Sequence, residues 1–359
     1  MTFLSSRRGR ISAALAGIAV SALALTACAG SSDSEPAADT DDAASDEMMT
    51  DITVQLSWIK NEEFAGEFFA DSKGYYTDAG FDSVTLVPGP STGATELISG
   101  TADVAMSDAV SIGSVVASEG APLKIVGATY QKNPFTILSL ADGGNIATVD
   151  DLAGKKIGVQ DSNTALFMAF LAANGMTADD LEIVPVQYDP APLTNGEVDG
   201  FMAYLTNESI IIEHEGYDTV NLPFADNGLP FVAETLTTTD DMISSNPETI
   251  KAFLKAEIMG WTDQVNDPEE GARLAYEEYG ADLGLDPDTS IAGSIAQNDL
   301  VVTDEVEANG LFTISDDLQA ATIESLSGAG IELAASDLFD LSLLAEVYEE
   351  NPELLDFMG

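Results

Sequence analysis

The segment "ITVQLSWIKNEEFAGEFFADSKGYY", residues 52–76, joins a strand pattern to a helix pattern. Its first seven residues alternate between apolar and polar side chains, as a half-buried β-strand does. Residues 62–76 then carry apolar side chains at helical spacing, with a glycine near their end. The segment therefore predicts a β–α unit at the start of the folded body.

The same alternation continues along the chain as far as "LKIVGATY", residues 123–130. Strands are predicted near residues 84–87 and at "ADVAM", and helices near residues 93–99 and 109–119. A strand that is followed by a helix, and then by another strand, is typical of a parallel sheet that helices cover. This first series predicts one α/β unit.

A second series of segments follows residue 135. It predicts strands at "TILSL", "KKIGVQ", "LEIVPVQ" and "VDGFMAY", and helices at "NTALFMAFLAANG" and "NESIIIEHEG". From residue 231 onward we expect a mostly helical chain, because amphipathic runs dominate there. Two series of this kind predict two α/β lobes.

The order of these segments also predicts how the chain divides. We expect residues 51–135 and 236–359 to form lobe 1, and residues 136–235 to form lobe 2. Ligands of open α/β sheets bind beyond the carboxyl ends of the strands. A cleft between two such lobes would collect several of those ends, and we expect the ligand to bind there.

The N-terminal residues have the features of a targeting segment. Three arginines precede "ISAALAGIAVSALAL", which is too short for a membrane span. The sequence Leu25-Thr26-Ala27-Cys28 then resembles a bacterial lipobox, so we expect residues 1–27 to be a lipoprotein signal peptide and Cys28 to be lipidated. A chance free cysteine is the alternative. Residues 28–50 are polar and acidic, which predicts a flexible tether that holds the body outside the cytoplasm at the cell membrane.

The charge of the chain excludes one class of partner. Sixty-two acidic residues against twelve lysines and arginines give a net charge of −50. Nucleic acid is excluded as a partner, because phosphate contacts require basic side chains. We expect the acidic surface to keep the protein soluble, and we expect a monomer. A single cysteine allows no intrachain disulfide.

Several stretches, taken in order, resemble the ABC-transporter solute-binding proteins of the thiamine-pyrimidine, riboflavin and alkanesulfonate type. Trp58, Asn61 and Gly66 form the opening pattern W-x-x-N-x-x-x-x-G, and it is followed by "KGYYTDAG", "PGPSTGATELISGTADVAMSD", "YQKNPF" and "DLAGKKIGV". The resemblance covers residues 51–236 well and the helical tail weakly. It implies a two-lobed periplasmic-binding-protein-like fold of type II, a lipid tether and an ABC permease as partner.

The segment "QYDPAPLTNGEVDGFMAYLTNES", residues 187–209, resembles the branch of these proteins whose ligands are pyrimidines or flavins. In that branch an Asn–Glu pair closes a "V-D-x-x-x-x-Y-x-x-N-E" block. The resemblance therefore implies a ligand-binding role for Tyr204, Asn207 and Glu208. The residues by themselves allow a plainer interpretation, in which Asn207 caps a helix and Glu208 complements its dipole.

Further candidates follow from position alone, because they stand at predicted strand ends or at the crossing between the lobes. An aromatic side chain from each lobe would sandwich a planar ring, and polar side chains would bind its edge. These candidates are Trp58, Asn61, Ser107, Asp108, Tyr130, Phe135 and Tyr188. Interior packing of the aromatic residues and helix capping by the polar ones are the alternatives. We predict no metal site, because His214 is the only histidine.

These patterns leave three functions in competition. We favour a substrate-binding lipoprotein of an ABC importer, which captures a thiamine pyrimidine precursor or a riboflavin-like heterocycle and delivers it to the permease. Binding of an anion such as an alkanesulfonate, taurine or nitrate is the alternative, but the only arginine after the leader is Arg273, far in sequence from every candidate. An enzyme similar to the eukaryotic pyrimidine synthases is least favoured, since Ser107 stands near where they place a lysine and their cysteine cluster is missing. We therefore expect neither catalysis nor a cofactor.

Overall fold

The computed structural model describes residues 48–359 of the chain. The predicted signal peptide, Cys28 and most of the predicted tether lie outside the described residues. Within residues 48–359, no helix combines the length and the apolar character that a membrane span requires.

Ten β-strands of the described residues form two five-stranded sheets. In chain order the strands are β1 (Asp51–Gln55), β2 (Ser83–Val87), β3 (Val104–Asp108), β4 (Leu123–Tyr130), β5 (Phe135–Leu140), β6 (Lys156–Gln160), β7 (Glu182–Val186), β8 (Gly200–Tyr204), β9 (Thr219–Pro223) and β10 (Ala233–Thr239). Sheet A has the order β2-β1-β3-β10-β4, and sheet B has the order β7-β6-β8-β5-β9. Each sheet is the centre of one lobe, lobe 1 around sheet A and lobe 2 around sheet B.

Helices cover both sheets. They are α1 (Ala65–Ser72), α2 (Tyr75–Asp78), α3 (Ala94–Ser99), α4 (Ala109–Glu119), α5 (Thr164–Ala173), α6 (Ala191–Thr194), α7 (Glu208–His214), α8 (Asp240–Ser245), α9 (Pro247–Asn266), α10 (Pro268–Arg273), α11 (Pro287–Val301), α12 (Asp304–Asn309), α13 (Asp316–Gly328), α14 (Ala335–Leu338) and α15 (Ser342–Glu350). A π-helical turn, Leu274–Tyr279, continues α10. Short 3-10 turns are formed by Glu62–Phe64, Val149–Leu152, Asp161–Asn163, Ala178–Asp180 and Pro352–Leu355.

The sheets are mixed, which corrects the prediction of parallel sheets. Strand β10 runs antiparallel to β3 and β4, and β5 runs antiparallel to β8 and β9. Parallel neighbours need a crossover connection, usually a helix. The chain instead enters β5 and β10 directly from the other sheet, through residues 131–134 and 224–232, so no crossover helix fixes their direction.

The expectation of a mostly helical chain from residue 231 is wrong for its first segment. Residues 233–239, "AETLTTT", form the buried strand β10 between β3 and β4. Four threonines favour a strand, because β-branched side chains fit a pleated surface. Strand β9 was not predicted either, whereas the later amphipathic runs do form α9 and α10.

Lobe 1 depends on a close contact between α1 and α9. Gly66 lies against the ring of Trp261, and a Cβ atom on Gly66 would overlap that ring. A Cβ atom on Gly260 would likewise overlap the backbone oxygen of Gly66. Both glycines therefore let the two helices approach, and the Gly66 of the opening sequence pattern has a packing role.

Replacing Gly66 with alanine is expected to lower the free energy of unfolding by about 1–3 kcal/mol, because the added methyl group must displace the buried Trp261 ring. Urea unfolding followed by circular dichroism measures the change. Gly328→Ala is the matched control: a Cβ atom there meets nothing within 4 Å, so this helical glycine should tolerate alanine. An unchanged unfolding midpoint for Gly66→Ala would show that α1 and α9 are not tightly packed.

Candidate ligand-binding site

A cavity lies between the two sheets, at the edge where several strands end. The carboxyl ends of the parallel strands β3, β6 and β8 reach it, and so does the turn that follows β1. Strands β5 and β10 run the opposite way and contribute residues from their beginnings. The cavity holds about 530 Å³ of empty space, its open mouth included. The mixed sheets therefore still gather strand ends from both lobes at one place.

Most of the predicted site residues meet around this cavity. Its lining includes Trp58, Ser107, Asp108, Phe135, Tyr204, Asn207 and Glu208. The three residues that the resemblance selected therefore stand beside four that were chosen by position.

Three other candidates lie elsewhere. Asn61 and Tyr188 line a second cavity, of about 990 Å³ with its open mouth, which shares Trp58 and Asn207 with the first. Tyr130 lines neither, because it points into the interior, where it is 1% exposed and donates a hydrogen bond to Gln297 Oε1 at 2.7 Å. Tyr130 is therefore a buried core residue, as the alternative interpretation had it.

Two aromatic side chains form one wall of the first cavity. The rings of Phe135 and Tyr204 meet edge to face, with 4.6 Å between their centroids and 89° between their planes. They face each other because Phe135 begins β5 and Tyr204 ends β8, and the two residues pair directly across the sheet. Trp58 adds a half-buried indole from lobe 1. Aromatic surfaces of this kind suit a flat ligand.

Two hydrogen bonds cross from lobe 2 to lobe 1 beside this wall. The hydroxyl of Tyr204 donates to Glu234 Oε1 at 2.9 Å. The amide Nδ2 of Asn207 donates to Glu62 Oε1 at 3.1 Å. Asn207 stands at the N-cap position of α7, but its side chain makes no capping bond. The interpretation that Asn207 only caps the helix is therefore not supported by its side-chain contacts.

Glu208 is buried between the lobes. Its carboxyl accepts a hydrogen bond from the backbone N–H of Tyr204 at 2.8 Å, and the residue is 4% exposed. Burial raises the pKa of Glu208 from its ordinary value of 4.5 to about 7, against the lowering effect of this bond. A complement to the helix dipole needs no such burial, so a position facing the cavity explains more about Glu208 than a helix start does.

Ser107 and Asp108 have structural partners. The hydroxyl of Ser107 donates to the backbone oxygen of Thr92 at 2.7 Å. Asp108 caps α4, since its Oδ1 accepts from the N–H groups of Val110 and Ser111 at 2.9 and 2.8 Å. Burial raises the pKa of Asp108. Capping therefore explains the residue type at position 108, although both residues also line the cavity.

Two acidic residues of the lining, Glu63 and Glu234, were not among the predicted site residues. Glu234 is 1% exposed and Glu63 is 6% exposed. Glu63 follows Glu62 in "NEEF", and Glu234 interrupts the otherwise uncharged "FVAETLTTT". A carboxylate inside a run of strand-forming residues was the available signal, because acidic side chains are rarely buried without a reason.

Acidic groups dominate the electrostatics of the cavity. Glu63, Asp108, Glu208 and Glu234 all line it, and none of its lining residues in the described chain is a lysine, arginine or histidine. Burial raises the pKa of Glu63 well above its ordinary value, and the neighbouring charge of Glu234 raises it further. Burial also raises the pKa of Glu234. The cavity therefore suits groups that donate hydrogen bonds and opposes anions.

One grouping on the surface has the residue types of a metal site. His214, Asp286 and Asp288 place potential ligand atoms within 4.8 Å of one another, and all three side chains are exposed. Exposed acidic groups often come together without an ion, so we assign no metal to them.

Comparison with known proteins decides the family. Residues 61–271, more than half of the chain, match the family described as NMT1/THI5 like. The chain belongs to the NMT1/THI5-like family. This membership confirms the resemblance that the motifs indicated. The matched range includes every predicted ligand-binding residue except Trp58.

Curated relatives include proteins that bind and proteins that catalyse. The riboflavin-binding protein RibY of Chloroflexus aurantiacus is 27% identical over 88% of this chain and 92% of its own length. The formylaminopyrimidine-binding protein of Halalkalibacterium halodurans is 24% identical over 66% of this chain and 72% of its own. The 4-amino-5-hydroxymethyl-2-methylpyrimidine phosphate synthase of Schizosaccharomyces pombe is 26% identical over 64% of this chain and 68% of its own length. The relatives of this chain thus include both kinds of protein.

A solved structure shares the fold. The periplasmic aliphatic sulphonate binding protein SsuA from Escherichia coli superimposes with a TM-score of 0.58 at 15% sequence identity, over 77% of this chain and 90% of that one. Similarity at this identity concerns the fold alone. The predicted α/β, two-lobed periplasmic-binding-protein fold of type II is confirmed.

Proposed function

We propose that this protein is the substrate-binding component of an ABC importer, and that it captures a small aromatic heterocycle of the pyrimidine or flavin kind for delivery to the permease. One observation carries the proposal: Tyr204, Asn207 and Glu208 meet Trp58 and Phe135 around one cavity between the lobes. Relatives named for binding riboflavin and formylaminopyrimidine support the ligand class.

The chemistry of the cavity suits such a ligand. The aromatic wall of Phe135 and Tyr204 would pack against a flat ring, while Asn207 and Glu208 supply acceptors and a donor to its polar edge. The bonds from Tyr204 to Glu234 and from Asn207 to Glu62 would hold the lobes closed over the ligand. Closure of two lobes around a ligand is a recurrent motion of proteins of this fold.

Two alternatives are weaker. A sulfonate or nitrate ligand would bring a negative charge among four buried carboxyl groups with no basic side chain in the described lining.

Synthase activity has less support than binding, because the riboflavin-binding relative matches over 92% of its own length and the fungal synthase over 68%. Ser107 stands near the position where the resemblance places the lysine of the synthases, and its hydroxyl donates a hydrogen bond to the backbone oxygen of Thr92. We therefore propose a transport function without catalysis.

The remaining predictions complete the proposal. The protein would act outside the cytoplasm as a monomer, tethered by a lipid on Cys28 after removal of residues 1–27. Lobe 1 around sheet A and lobe 2 around sheet B would move as two bodies, and the chain crosses between them at residues 131–134 and 224–232, just before the predicted bounds at residues 135 and 235. Metabolic labelling with a fatty-acid analogue, and its loss in Cys28→Ala, would test the tether.

A thermal-shift panel tests the ligand class. The purified protein is heated with an aminopyrimidine, riboflavin, thiamine, taurine or nitrate. We expect at least one heterocycle to raise the unfolding temperature, and we expect taurine and nitrate to leave it unchanged. Stabilisation by an anion and by no heterocycle would contradict the proposed function.

Replacing Trp58 with alanine is expected to weaken heterocycle binding about tenfold, because the ligand loses a stacking partner and a buried aromatic surface. Isothermal titration calorimetry with the stabilising heterocycle measures the change. Tyr217→Ala is the control, since Tyr217 is 41% exposed and lies outside the cavity lining. Equal loss of affinity in both variants would mean that Trp58 has no specific role in binding.

A further inference from the structure

Two carboxyl groups of the cavity lie side by side. The hydroxyl of Ser57 lies 3.0 Å from Glu234 Oε2 and 3.4 Å from Glu63 Oε1, so a single donor lies within reach of both side chains. Glu63 comes from the turn after β1, and Glu234 comes from β10. Both residues are more than nine-tenths buried, and both line the cavity. The pair therefore lines the cavity from the lobe 1 side.

The protein itself compensates this pair only in part. Each oxygen of Glu234 accepts one hydrogen bond, from Tyr204 or from Ser57. In the described part of the chain, the long bond from Ser57 is the only one that Glu63 accepts from a hydroxyl or an N–H group. Buried carboxylates are costly unless a positive charge or several donors compensate them. An ionised Glu63 would therefore need further donors, and a ligand that enters the cavity can supply them.

The backbone of β10 is distorted where it presents Glu234. Glu234 has a φ of 46°, in the left-handed region that side chains other than glycine rarely adopt. The register of β10 against β3 also shifts between Ala233 and Thr235. Irregularities of this kind re-aim a side chain and collect near binding sites. The distortion thus lies at the residue that carries a carboxyl group into the cavity lining.

We infer that the ligand carries a positive charge on a flat group with N–H donors, such as an amidinium or a protonated amino-heterocycle, and that Glu63 and Glu234 bind this group. The inference rests on the proposed function and narrows it from aromatic heterocycles in general to cationic ones. Two parallel N–H donors match two neighbouring carboxylate oxygens, which is the geometry of strong charge-assisted pairing.

Binding then exchanges a proton for the ligand. Burial and the charge of Glu234 raise the pKa of Glu63, which favours a protonated Glu63 that donates to Glu234 when no cation is bound. When the cation binds, this proton leaves to solvent and the ligand N–H groups take its place, so the charge of the cavity is unchanged. The other groups near the pair are acidic or phenolic, namely Glu62, Glu67, Asp108, Tyr130, Tyr204 and Glu208. Affinity for the cation should therefore rise with pH.

Benzamidine and benzamide test the inference, since they have the same flat shape and differ in charge. Calorimetry of the full chain should show benzamidine binding at least about tenfold more tightly, with release of a proton in buffers of different ionisation enthalpy. Glu63→Gln should remove both the preference and the proton release, and Glu234→Gln is the second variant if Glu63→Gln does not fold. Glu213→Gln is the control, because Glu213 is exposed on α7 outside the cavity lining and should change neither.

Equal affinity for the two compounds, or no binding of benzamidine, overturns the inference. A preference that persists in both Glu63→Gln and Glu234→Gln overturns it as well. The heterocycle panel keeps the two proposals apart. If neutral heterocycles bind while benzamidine has no advantage, the proposed function stands and the cationic ligand fails, whereas failure of every heterocycle contradicts the proposed function itself.

Discussion

Glu208→Gln is expected to weaken heterocycle binding by about 10- to 100-fold, because the ligand loses a charge-assisted hydrogen bond worth about 1.5–3 kcal/mol. The fold should remain intact, since the glutamine oxygen can still accept the bond that Glu208 accepts from the backbone N–H of Tyr204. Isothermal titration calorimetry measures the affinity, and thermal unfolding measures the stability.

Glu213→Gln is the matched control for this change. Glu213 lies on the same helix, α7, but its side chain is exposed and bonds to Thr219 instead of facing the cavity. It should bind the ligand as the unaltered protein does. If Glu208→Gln lowered the unfolding temperature and left the affinity unchanged, Glu208 would have only a structural role at the start of the helix.

The second large effect concerns stability and pH, and it arises from Glu67. This residue is fully buried in α1, and burial raises its pKa from 4.5 to about 8. Its Oε1 accepts a hydrogen bond from Trp261 Nε1, and its carboxyl lies against that of Glu257, which accepts from Tyr76. The folded chain therefore keeps a proton on Glu67 at a pH where the unfolded chain has lost it.

The sign of the pH effect follows from this difference. Between pH 4.5 and pH 8 the folded chain binds more protons than the unfolded chain, so the free energy of unfolding falls as pH rises through this window. Glu67 alone would remove about 3–5 kcal/mol. Glu62 and Glu208, with pKa values raised to about 7, act in the same direction. We expect a markedly higher urea midpoint at pH 5.5 than at pH 8.5.

Glu67→Gln tests this assignment. The amide remains neutral at every pH and can still accept from Trp261, so the variant should lose much less stability between pH 5.5 and pH 8.5. Glu119→Gln is the control, because Glu119 is exposed at the end of α4 and should leave the pH dependence unchanged. An unaltered pH dependence in Glu67→Gln would show that the buried pair with Glu257 is not its source.

The sequence predicted the elements whose periodicity is local. The strand and helix patterns of residues 52–130 correspond to β1 through β4 and their helices, and the amphipathic run at residues 246–267 corresponds to α9. The direction of β5 and β10 could not be predicted in this way, because it depends on how the chain crosses between the sheets. Strand order and direction are tertiary properties that no single window of sequence contains.

The site shows the same division. Asn207 and Glu208 were found through a motif, and the structure places both at the cavity. Glu63 and Glu234 were missed because an acidic side chain in a single sequence reads as surface. Tyr130 was selected because it flanks the crossing between the lobes, yet its hydroxyl donates a hydrogen bond to Gln297, which lies far along the chain on α11. Whether such a residue lines the cavity or belongs to the core depends on its burial and on partners that are distant in sequence.

Mass spectrometry of the small molecules released from the purified protein tests the central claim most directly. The protein is isolated without added ligand, denatured, and the released molecules are identified and counted per chain. The account predicts an aromatic heterocycle, in an amount that falls sharply in protein carrying Glu208→Gln. Release of a sulfonate or another anion, with no heterocycle in either sample, would contradict it.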